Sequence, residues 1–269
     1  MLSASQKQRP LRCSYAGAIV THQTQSYRRS AQPMRTRRAA RLDGASDARP
    51  WGMHAFTAAM LILGTLVGGC GLEVSARTID RRVLPPPERD GGPSLTHVLA
   101  TRHSVRTFRS EALDDEALGQ LLWAAQGIND GHRTAPSAGA LYPLKIYVAD
   151  SQGVWRYVPD DHALVRERTD DRRAAITRAC FGQDAVSGAP VLLVVTAEIA
   201  ITARKYGPRA ERYAALEAGH ATQNVLLTAT ALGLGAVPIG AFDDATLSKA
   251  VGLAAHVTPF YVVPVGTPR

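Results

Sequence analysis

Two arginines and a serine alternate in the heptapeptide RHSVRTF, residues 102–108. In an extended segment, Arg102, Ser104 and Arg106 point to the same side, because side chains alternate along an extended chain. Two guanidinium groups and a hydroxyl would then converge on one oxyanion. Arginine forks match phosphate oxygens in pairs and keep their charge at any working pH. The pattern predicts a phosphate site, with solvated surface arginines as the alternative.

Two segments poor in bulky side chains accompany this arginine pair. One is RTAPSAGALYP, residues 133–143, and the other is GLGAVPIG, residues 233–240. Small residues let backbone amides approach a flat ligand closely. Neither segment is a nucleotide fingerprint, since no Gly-x-Gly-x-x-Gly opens a helix after a strand and no Walker-type lysine loop is present.

Helix and strand patterns supply the elements that must position these residues. Apolar positions spaced three and four apart predict helices, and short apolar or alternating runs predict strands. We expect helices over 113–125, 213–232 and 243–253, a strand pair over 144–150 and 153–158, a buried strand over 190–197, a strand and turn over 236–242 and a last strand over 259–266. The order of elements indicates an α+β domain that begins near Leu95.

The longest predicted helix, residues 213–232, is apolar almost all round. Such a helix must be buried, either centrally or against a second subunit. His220 and Asn224 are four residues apart and share a face, which favours a hydrogen-bonded packing role over metal ligation. Glu217 lies on that side as well, and we interpret it as a structural partner of His220 rather than a catalytic group.

The basic charge of the chain is confined to its first part. Residues 1–52 hold ten of the 31 Lys and Arg but two of the 23 Asp and Glu, so they carry the whole formal charge of +8. The remaining charges cancel, and the domain has no overall field to concentrate a polyanion. We therefore predict no nucleic-acid partner.

An apolar run, residues 53–70, follows this basic leader and ends in VGGC. It is short for a bilayer-spanning helix of about 20 residues and resembles a bacterial lipoprotein signal peptide. We expect a lipid anchor at Cys70 and a place in the cell envelope, or a cytoplasmic protein if the signal is not used. The alternatives are a buried N-terminal helix, or translation that starts at Met34 or Met53.

The three cysteines agree with this layout. Cys13 lies in the leader, Cys70 at the proposed lipidation site and Cys180 in the domain, so neither a disulfide within the domain nor a thiolate metal cluster is possible. We predict no metal site and interpret Cys180 as a small buried hydrophobe. Residues 71–94 are rich in proline, glycine and charge, which predicts a solvated linker.

Several of these segments together carry a resemblance to a known family. RHSVRTF, LLWAAQGI, RTAPSAGALYPLKIYV, KYGPR, EAGHATQNVLLTATALGLGA, PIGAFDD and YVVPVG occur in the order and spacing of the nitroreductase superfamily. The chain most resembles its SagB-type branch, which includes the thiazole- and oxazole-forming flavin dehydrogenases. The resemblance covers residues 95–268.

The resemblance implies an FMN-binding homodimer with a mixed central sheet flanked by helices and a flavin at each subunit interface. It assigns to the phosphate and ribityl end Arg102, His103, Ser104 and Arg106, with Arg269 as a further candidate for the phosphate. It assigns to the edge of the flavin ring Pro136, Ser137, Ala138 and Gly139. It places near the reactive nitrogen Pro238, Ile239 and Gly240.

The same resemblance points to Lys205 and Tyr206 as the catalytic pair, with the lysine accepting a proton and the tyrosine orienting or relaying it. A solvated basic loop is the alternative. Ala140 and Gly240 stand where many nitroreductases have asparagine and glutamate, which puts classical nitroarene reduction in doubt. The predicted function is FMN-dependent hydride transfer with a small organic or peptide-azoline substrate and transient NAD(P)H; a membrane-tethered flavin-binding scaffold without turnover is the alternative.

Overall fold

A seven-stranded sheet forms the centre of the computed structural model, which describes residues 80–269. Its strands lie in the order β1-β6-β5-β4-β7-β9-β8, and every pairing is antiparallel. The strands are β1 (Arg81–Val83), β4 (Leu144–Asp150), β5 (Gly153–Val158), β6 (Ala163–Arg168), β7 (Val191–Ala197), β8 (Gly235–Ala236) and β9 (Thr258–Gly266). A separate two-stranded ribbon consists of β2 (Ile128–Asn129) and β3 (His132–Arg133).

Among residues 80–269, seven α-helices flank the sheet: α1 (Leu95–Thr101), α2 (Asp115–Gln126), α3 (Arg173–Ala179), α4 (Asp184–Ser187), α5 (Ile199–Tyr206), α6 (Ala210–Ala231) and α7 (Asp244–Val251). Three of them begin at a residue whose side chain accepts a hydrogen bond from the first turn: Ser94 for α1, Asp114 for α2 and Asp243 for α7. Such caps satisfy backbone N–H groups that have no partner within the helix. These short polar residues therefore fix where the helices start.

The two faces of the sheet carry separate apolar cores. Ile146 and Val148 of β4 contribute to a core with α2 and α6, and the intervening Tyr147 and Ala149 contribute to a core with α3, α4 and α7. This alternation is what a strand covered on both faces requires. The predicted α+β domain, with helices flanking a central sheet, is confirmed.

Most of the predicted elements are found with small shifts. The strand pair β4 and β5 has the predicted bounds, β7 is buried along its whole length, and α6 begins at Ala210 rather than Tyr213. Of the predicted strand and turn over 236–242, the strand includes only Ala236; beyond it, Ile239 makes an isolated bridge to Val262. Pro238 explains the interruption, because proline has no N–H to donate to a sheet.

The predicted linker needs a correction at its end. Arg81–Val83 forms the edge strand β1 on β6, and Leu84, only 4% exposed, packs in the core beside α2. Arg82 also donates a hydrogen bond from Nε to Asp115 at 3.0 Å. The fold therefore includes residues from Arg81 on, ahead of the predicted start at Leu95.

The sequence-based expectations for the leader, residues 1–52, for the signal peptide, residues 53–70, and for Cys70 lie outside the described residues. Between residues 80 and 269, no helix combines the length and apolar character needed to cross a membrane. Cys180 is fully buried, as predicted, and burial raises the pKa of its thiol to about 11.

Candidate functional site

The arginine segment leaves α1 at Thr101 and runs without helix to Phe108. Arg102 has φ −58° and ψ 124°, and Val105 donates its N–H to the carbonyl of Ala236 in β8 at 3.1 Å. A Cβ on Gly235 would lie 2.5 Å from a methyl group of Val105, so only glycine allows this approach. The predicted non-helical course is present, fastened to the edge of the sheet.

Arg269 lies beside this segment, although it is far away in sequence. Its N–H donates to the carbonyl of Thr107 at 3.3 Å, and Pro268 forms an antiparallel bridge with Phe108. We call Arg102, Ser104, Arg106 and Arg269 the arginine cluster. None of its three guanidinium groups pairs with a carboxylate of residues 80–269, whereas Arg156, Arg166 and Arg173 all do. The cluster is a concentration of unneutralised positive charge.

The segment from Pro136 to Tyr142, which we call the Ser137 loop, has an unusual backbone. Gly139, Ala140 and Tyr142 have positive φ angles of 63°, 54° and 50°. Such angles are costly for residues other than glycine and are often found at functional sites. The hydroxyl oxygen of Ser137 accepts the N–H of Tyr142 at 2.9 Å and holds the loop in this shape.

Three consecutive amides of the Ser137 loop have no acceptor within the described chain. The N–H groups of Ala140 and Leu141 bond inside the loop, to the carbonyls of Ser137 and Ala138. Ser137, Ala138 and Gly139 themselves donate no backbone hydrogen bond among residues 80–269. These amides are available to a ligand that presents acceptors along one edge.

Lys205 and Tyr206 lie against this loop. They occupy the last turn of α5, which ends at Gly207, so they belong to a helix rather than to a basic loop. A Cβ built on Gly139 would lie 2.7 Å from the hydroxyl of Tyr206 and 2.8 Å from Nζ of Lys205. The fold therefore brings the predicted catalytic pair to the predicted ring-edge loop.

The third predicted segment, Pro238 to Gly240, is anchored to β9. Ile239 and Val262 exchange two backbone hydrogen bonds, of 2.8 and 2.9 Å. Pro238 has no N–H, and the N–H of Ile239 already donates to the carbonyl of Val262. Within this segment, Gly240 is therefore the residue whose amide can donate to a ligand.

The predicted residues form two groups. One contains the arginine cluster and the edge at Gly235–Gly240, and the other contains the Ser137 loop with Lys205 and Tyr206. His103 belongs to the first group, where it is exposed and its Nδ1 lies 3.0 Å from the carbonyl of Thr101. No hydrogen bond joins the two groups within residues 80–269.

Glu217 is a residue whose importance the sequence analysis missed. It is 2% exposed in the middle of α6, and its Oε1 has no hydrogen-bond partner in the described chain. Burial raises the pKa of its carboxyl to about 7, against the opposite effects of Ser137, Gln126 and the charge of Arg133. The predicted partnership with His220 is wrong, because His220 is exposed and the neighbours are Ser137 and Gln126.

Asn224 has the packing role predicted for it. Its Nδ2 donates to the carbonyls of Ala124 at 2.9 Å and Thr134 at 3.3 Å, which ties α6 to α2 and to the chain entering the Ser137 loop.

A signal for Glu217 was present in the sequence, since it is flanked on its helix face by Ala214, Ala218 and Ala221, all buried. A single acidic side chain on a helix face that otherwise consists of alanine is expected to be buried together with its charge.

The described residues form an α+β domain with arginines that lack carboxylate partners at one edge of the sheet, and with a Lys-Tyr pair beside backbone amides that lack acceptors. Residues 99–267 match the model of the Nitroreductase family. The chain belongs to this family and is a nitroreductase-family oxidoreductase.

Its relatives include a protein of Methanocaldococcus jannaschii named as a nitroreductase, 39% identical over 180 residues, which are 64% of this chain and 90% of the relative. A crystal structure of a nitroreductase from Ralstonia eutropha JMP134 is 33% identical and superimposes with a TM-score of 0.65, over 70% of this chain and 90% of that one. The NADPH:FMN oxidoreductase of Vibrio harveyi, solved with NAD+, shares the fold at 20% identity and a TM-score of 0.50, over 65% and 68% of the two chains.

Proposed function

We propose that this protein is an FMN-dependent oxidoreductase of the SagB type, which transfers hydride between flavin and a small organic or peptide-azoline substrate. The observation that carries the proposal is the contact of Lys205 and Tyr206 with Gly139. This contact places Lys205, the proposed proton acceptor, at the same loop whose unpaired amides would bind the edge of the flavin. The pair also favours turnover over a scaffold that only binds flavin.

The residues present fit FMN at both of its ends. The unneutralised arginines of the arginine cluster suit a phosphate monoester, which guanidinium groups bind by paired hydrogen bonds. Ser137, Ala138 and Gly139 offer three N–H groups in a row, and the missing side chain of Gly139 leaves room for the polar ends of Lys205 and Tyr206. Fixed backbone donors of this kind are suited to the polar edge of a planar ring.

In this proposal each residue of the chain has a defined task. Arg102, Arg106 and Arg269 hold the phosphate, and the amides of the Ser137 loop orient the ring. Gly240 directs its N–H toward the negative charge that develops during the reaction. Bound flavin supplies the hydride chemistry. Lys205 takes up the proton that the substrate loses, and Tyr206 fixes the position of that proton.

A homodimer would complete the site. The two groups of residues share no hydrogen bond within one chain, and α1 and α6 expose large apolar side chains, namely Leu95, Leu99, Leu216 and Leu232. Exposed apolar surface of this extent favours a subunit interface. We propose that the arginine cluster of one protomer meets the Ser137 loop of the other across it.

The remaining expectations about the chain are proposals from the sequence. We propose that residues 1–52 form a leader, that residues 53–70 form a lipoprotein-type signal and that Cys70 carries the lipid, which would place the domain at the cell envelope. If the signal is not used, the protein is cytoplasmic. NAD(P)H would bind transiently, as an alternative to the organic substrate in giving hydride to the flavin, and a second substrate would reoxidise the flavin.

An absorbance spectrum of the purified protein tests the proposed function. We expect flavin bands that bleach under anaerobic conditions on addition of NADH or NADPH, and that return on addition of an oxidising substrate. A protein that stays colourless after incubation with FMN would contradict the proposal.

The phosphate assignment is tested by Arg102→Ala and Arg106→Ala. Each change removes charge-assisted hydrogen bonds worth about 1.5–3 kcal/mol, so the Kd for FMN should rise by a factor of about ten to a hundred. Arg178→Ala, which removes an exposed arginine from the last turn of α3, is the matched control. Equal FMN affinity in all variants would exclude the arginine cluster from the site.

A further inference from the structure

A buried carboxylate, that of Glu217, lies directly behind the Ser137 loop. Glu217 is 2% exposed, and Gln126, its neighbour from α2, is 3% exposed. Glu217 Oε1 and Gln126 Nε2 both lack a hydrogen-bond partner within residues 80–269. Buried polar atoms without partners are rare in folded proteins and call for a physical reason.

An ion pair does not account for the buried charge. Arg133 is the charged side chain that acts on Glu217, but its guanidinium donates to the carbonyl of Gln126 at 3.1 Å and lies 3.6 Å from Asp160. A buried carboxylate that has no close cation destabilises a fold. An apolar side chain would serve simple packing better at this place.

The contact with Ser137 supplies the reason. The oxygen of Ser137 already accepts the N–H of Tyr142, so its own O–H is free to donate, and the side chain of Ser137 acts on the Glu217 carboxylate. With that O–H turned to the carboxylate, Ser137 would link the N–H of Tyr142 to Glu217. Such a link would fasten a loop that has positive φ angles at Ala140 and Tyr142, where the backbone would otherwise relax.

We propose that Glu217 is a positioning residue, which holds the Ser137 loop in its flavin-binding shape and so makes flavin affinity depend on pH. This inference rests on the proposed function, because it assigns the loop to the flavin. In its anionic form Glu217 accepts the Ser137 proton and locks the loop. In its protonated form it carries a proton of its own, accepts more weakly, and the loop loosens.

The direction of the pH effect follows from linkage. Burial raises the pKa of Glu217 to about 7, so both forms are populated near neutral pH. A ligand that binds the locked loop favours the anion, hence its binding releases a proton and its affinity increases as pH rises through neutrality. The titratable groups on the surrounding elements include Arg133 of β3, Tyr142 of the loop, Lys205 and Tyr206 of α5, and Glu211, Arg212, Tyr213 and His220 of α6.

The test is the Kd of FMN, measured by quenching of flavin fluorescence at constant ionic strength between about pH 5.5 and 8.5. For the unaltered protein we expect weaker binding at low pH, approaching a tenfold loss per pH unit below neutrality. Glu217→Gln should bind with a Kd close to the low-pH value and keep only the pH dependence that comes from the FMN phosphate, whose second pKa is about 6. Glu211→Gln, which removes an exposed carboxylate from the first turn of the same helix, should keep the original profile.

A second variant keeps the inference testable if Glu217→Gln does not fold, as judged by circular dichroism. Ser137→Ala retains the buried carboxylate but removes the proposed link to it, and it should leave the same pH dependence as Glu217→Gln. A pH-independent Kd in the unaltered protein, or the original slope in Glu217→Gln or Ser137→Ala, would overturn the inference and leave the proposed function intact. A protein that binds no FMN at any pH would overturn both.

Discussion

The contact between Gly139 and the Lys205-Tyr206 pair makes this glycine a strongly constrained position of the candidate site. Its φ of 63° is disfavoured for a side chain, and a Cβ would approach both polar tips more closely than van der Waals contact allows. The backbone position and the chemistry of the pair are therefore coupled. Changes at Gly139 should act on catalysis through Lys205 and Tyr206.

Gly139→Ala should reduce the rate of flavin reduction by substrate and lower stability by about 1 kcal/mol, because the new methyl group displaces Lys205 and Tyr206 and strains the loop. Gly219→Ala is the matched control: Gly219 lies within α6, a Cβ there meets nothing within 4 Å, and alanine favours helix. Stopped-flow reduction and urea unfolding measure the two effects. Equal rates in the two variants would count against the site.

Lys205→Ala should leave FMN bound and slow its reduction by substrate, by about 10²- to 10⁴-fold if the lysine is the proton acceptor. Arg204→Ala, at the adjacent exposed position of α5, removes a positive charge without touching Gly139 and should stay near the original rate. Anaerobic stopped-flow spectroscopy follows both variants. Undiminished reduction in Lys205→Ala would remove this residue from the mechanism.

At the scale of elements, the sequence predicted those whose pattern is local. β4, β5 and β7 are apolar or alternating runs, and the leucines of α2 recur at helical spacing, so their own residues determine them. β1 was missed because Arg81–Val83 is a strand only through its pairing with Ala163–Val165, a contact that local composition does not contain. The helix α5 was not predicted either, and a solvated basic loop was the alternative given for its charged end.

Some features of the candidate site could likewise be predicted from local sequence, whereas others depend on tertiary contacts. The non-helical arginine segment and the small-residue loops could be recognised from residue types and their order. The surroundings of Glu217 and the loss of the Ile239 N–H to Val262 depend on tertiary pairing, and residue types alone do not reveal them. Sequence patterns indicate which groups can act, and the packing decides which of their atoms are free.

Leu84→Ala tests whether β1 belongs to the fold. This leucine packs in the core, so the change should lower the free energy of unfolding by about 2–5 kcal/mol. Val83→Ala is the matched control, because Val83 is 68% exposed at the adjacent position and should change stability little. Urea unfolding gives both values. Equal stability of the two variants would indicate that this segment is a solvated linker and not part of the fold.

For the whole molecule, the proposed homodimer predicts that assembly and flavin binding are lost together. Leu99→Asp places a charge on α1 at a side chain that is 56% exposed in the single chain, and it should produce a monomer with little bound FMN. Phe181→Asp, which changes a 70% exposed side chain after α3, is the matched control. Sedimentation velocity and the flavin spectrum measure the two properties, and a flavin-loaded monomer would contradict the interface proposal.

The bonds between Arg109 and the chain at Thr267 and Pro268 have a consequence for the order of events during folding. Arg109 and Pro268 are 159 positions apart, and the strand β9 that leads to Pro268 is the last of the sheet to be synthesised. Contacts of such long sequence separation form late and slowly. If the domain binds flavin as proposed, loading would follow synthesis of the domain, and newly made chains would pass through a cofactor-free stage in which the arginines are still apart.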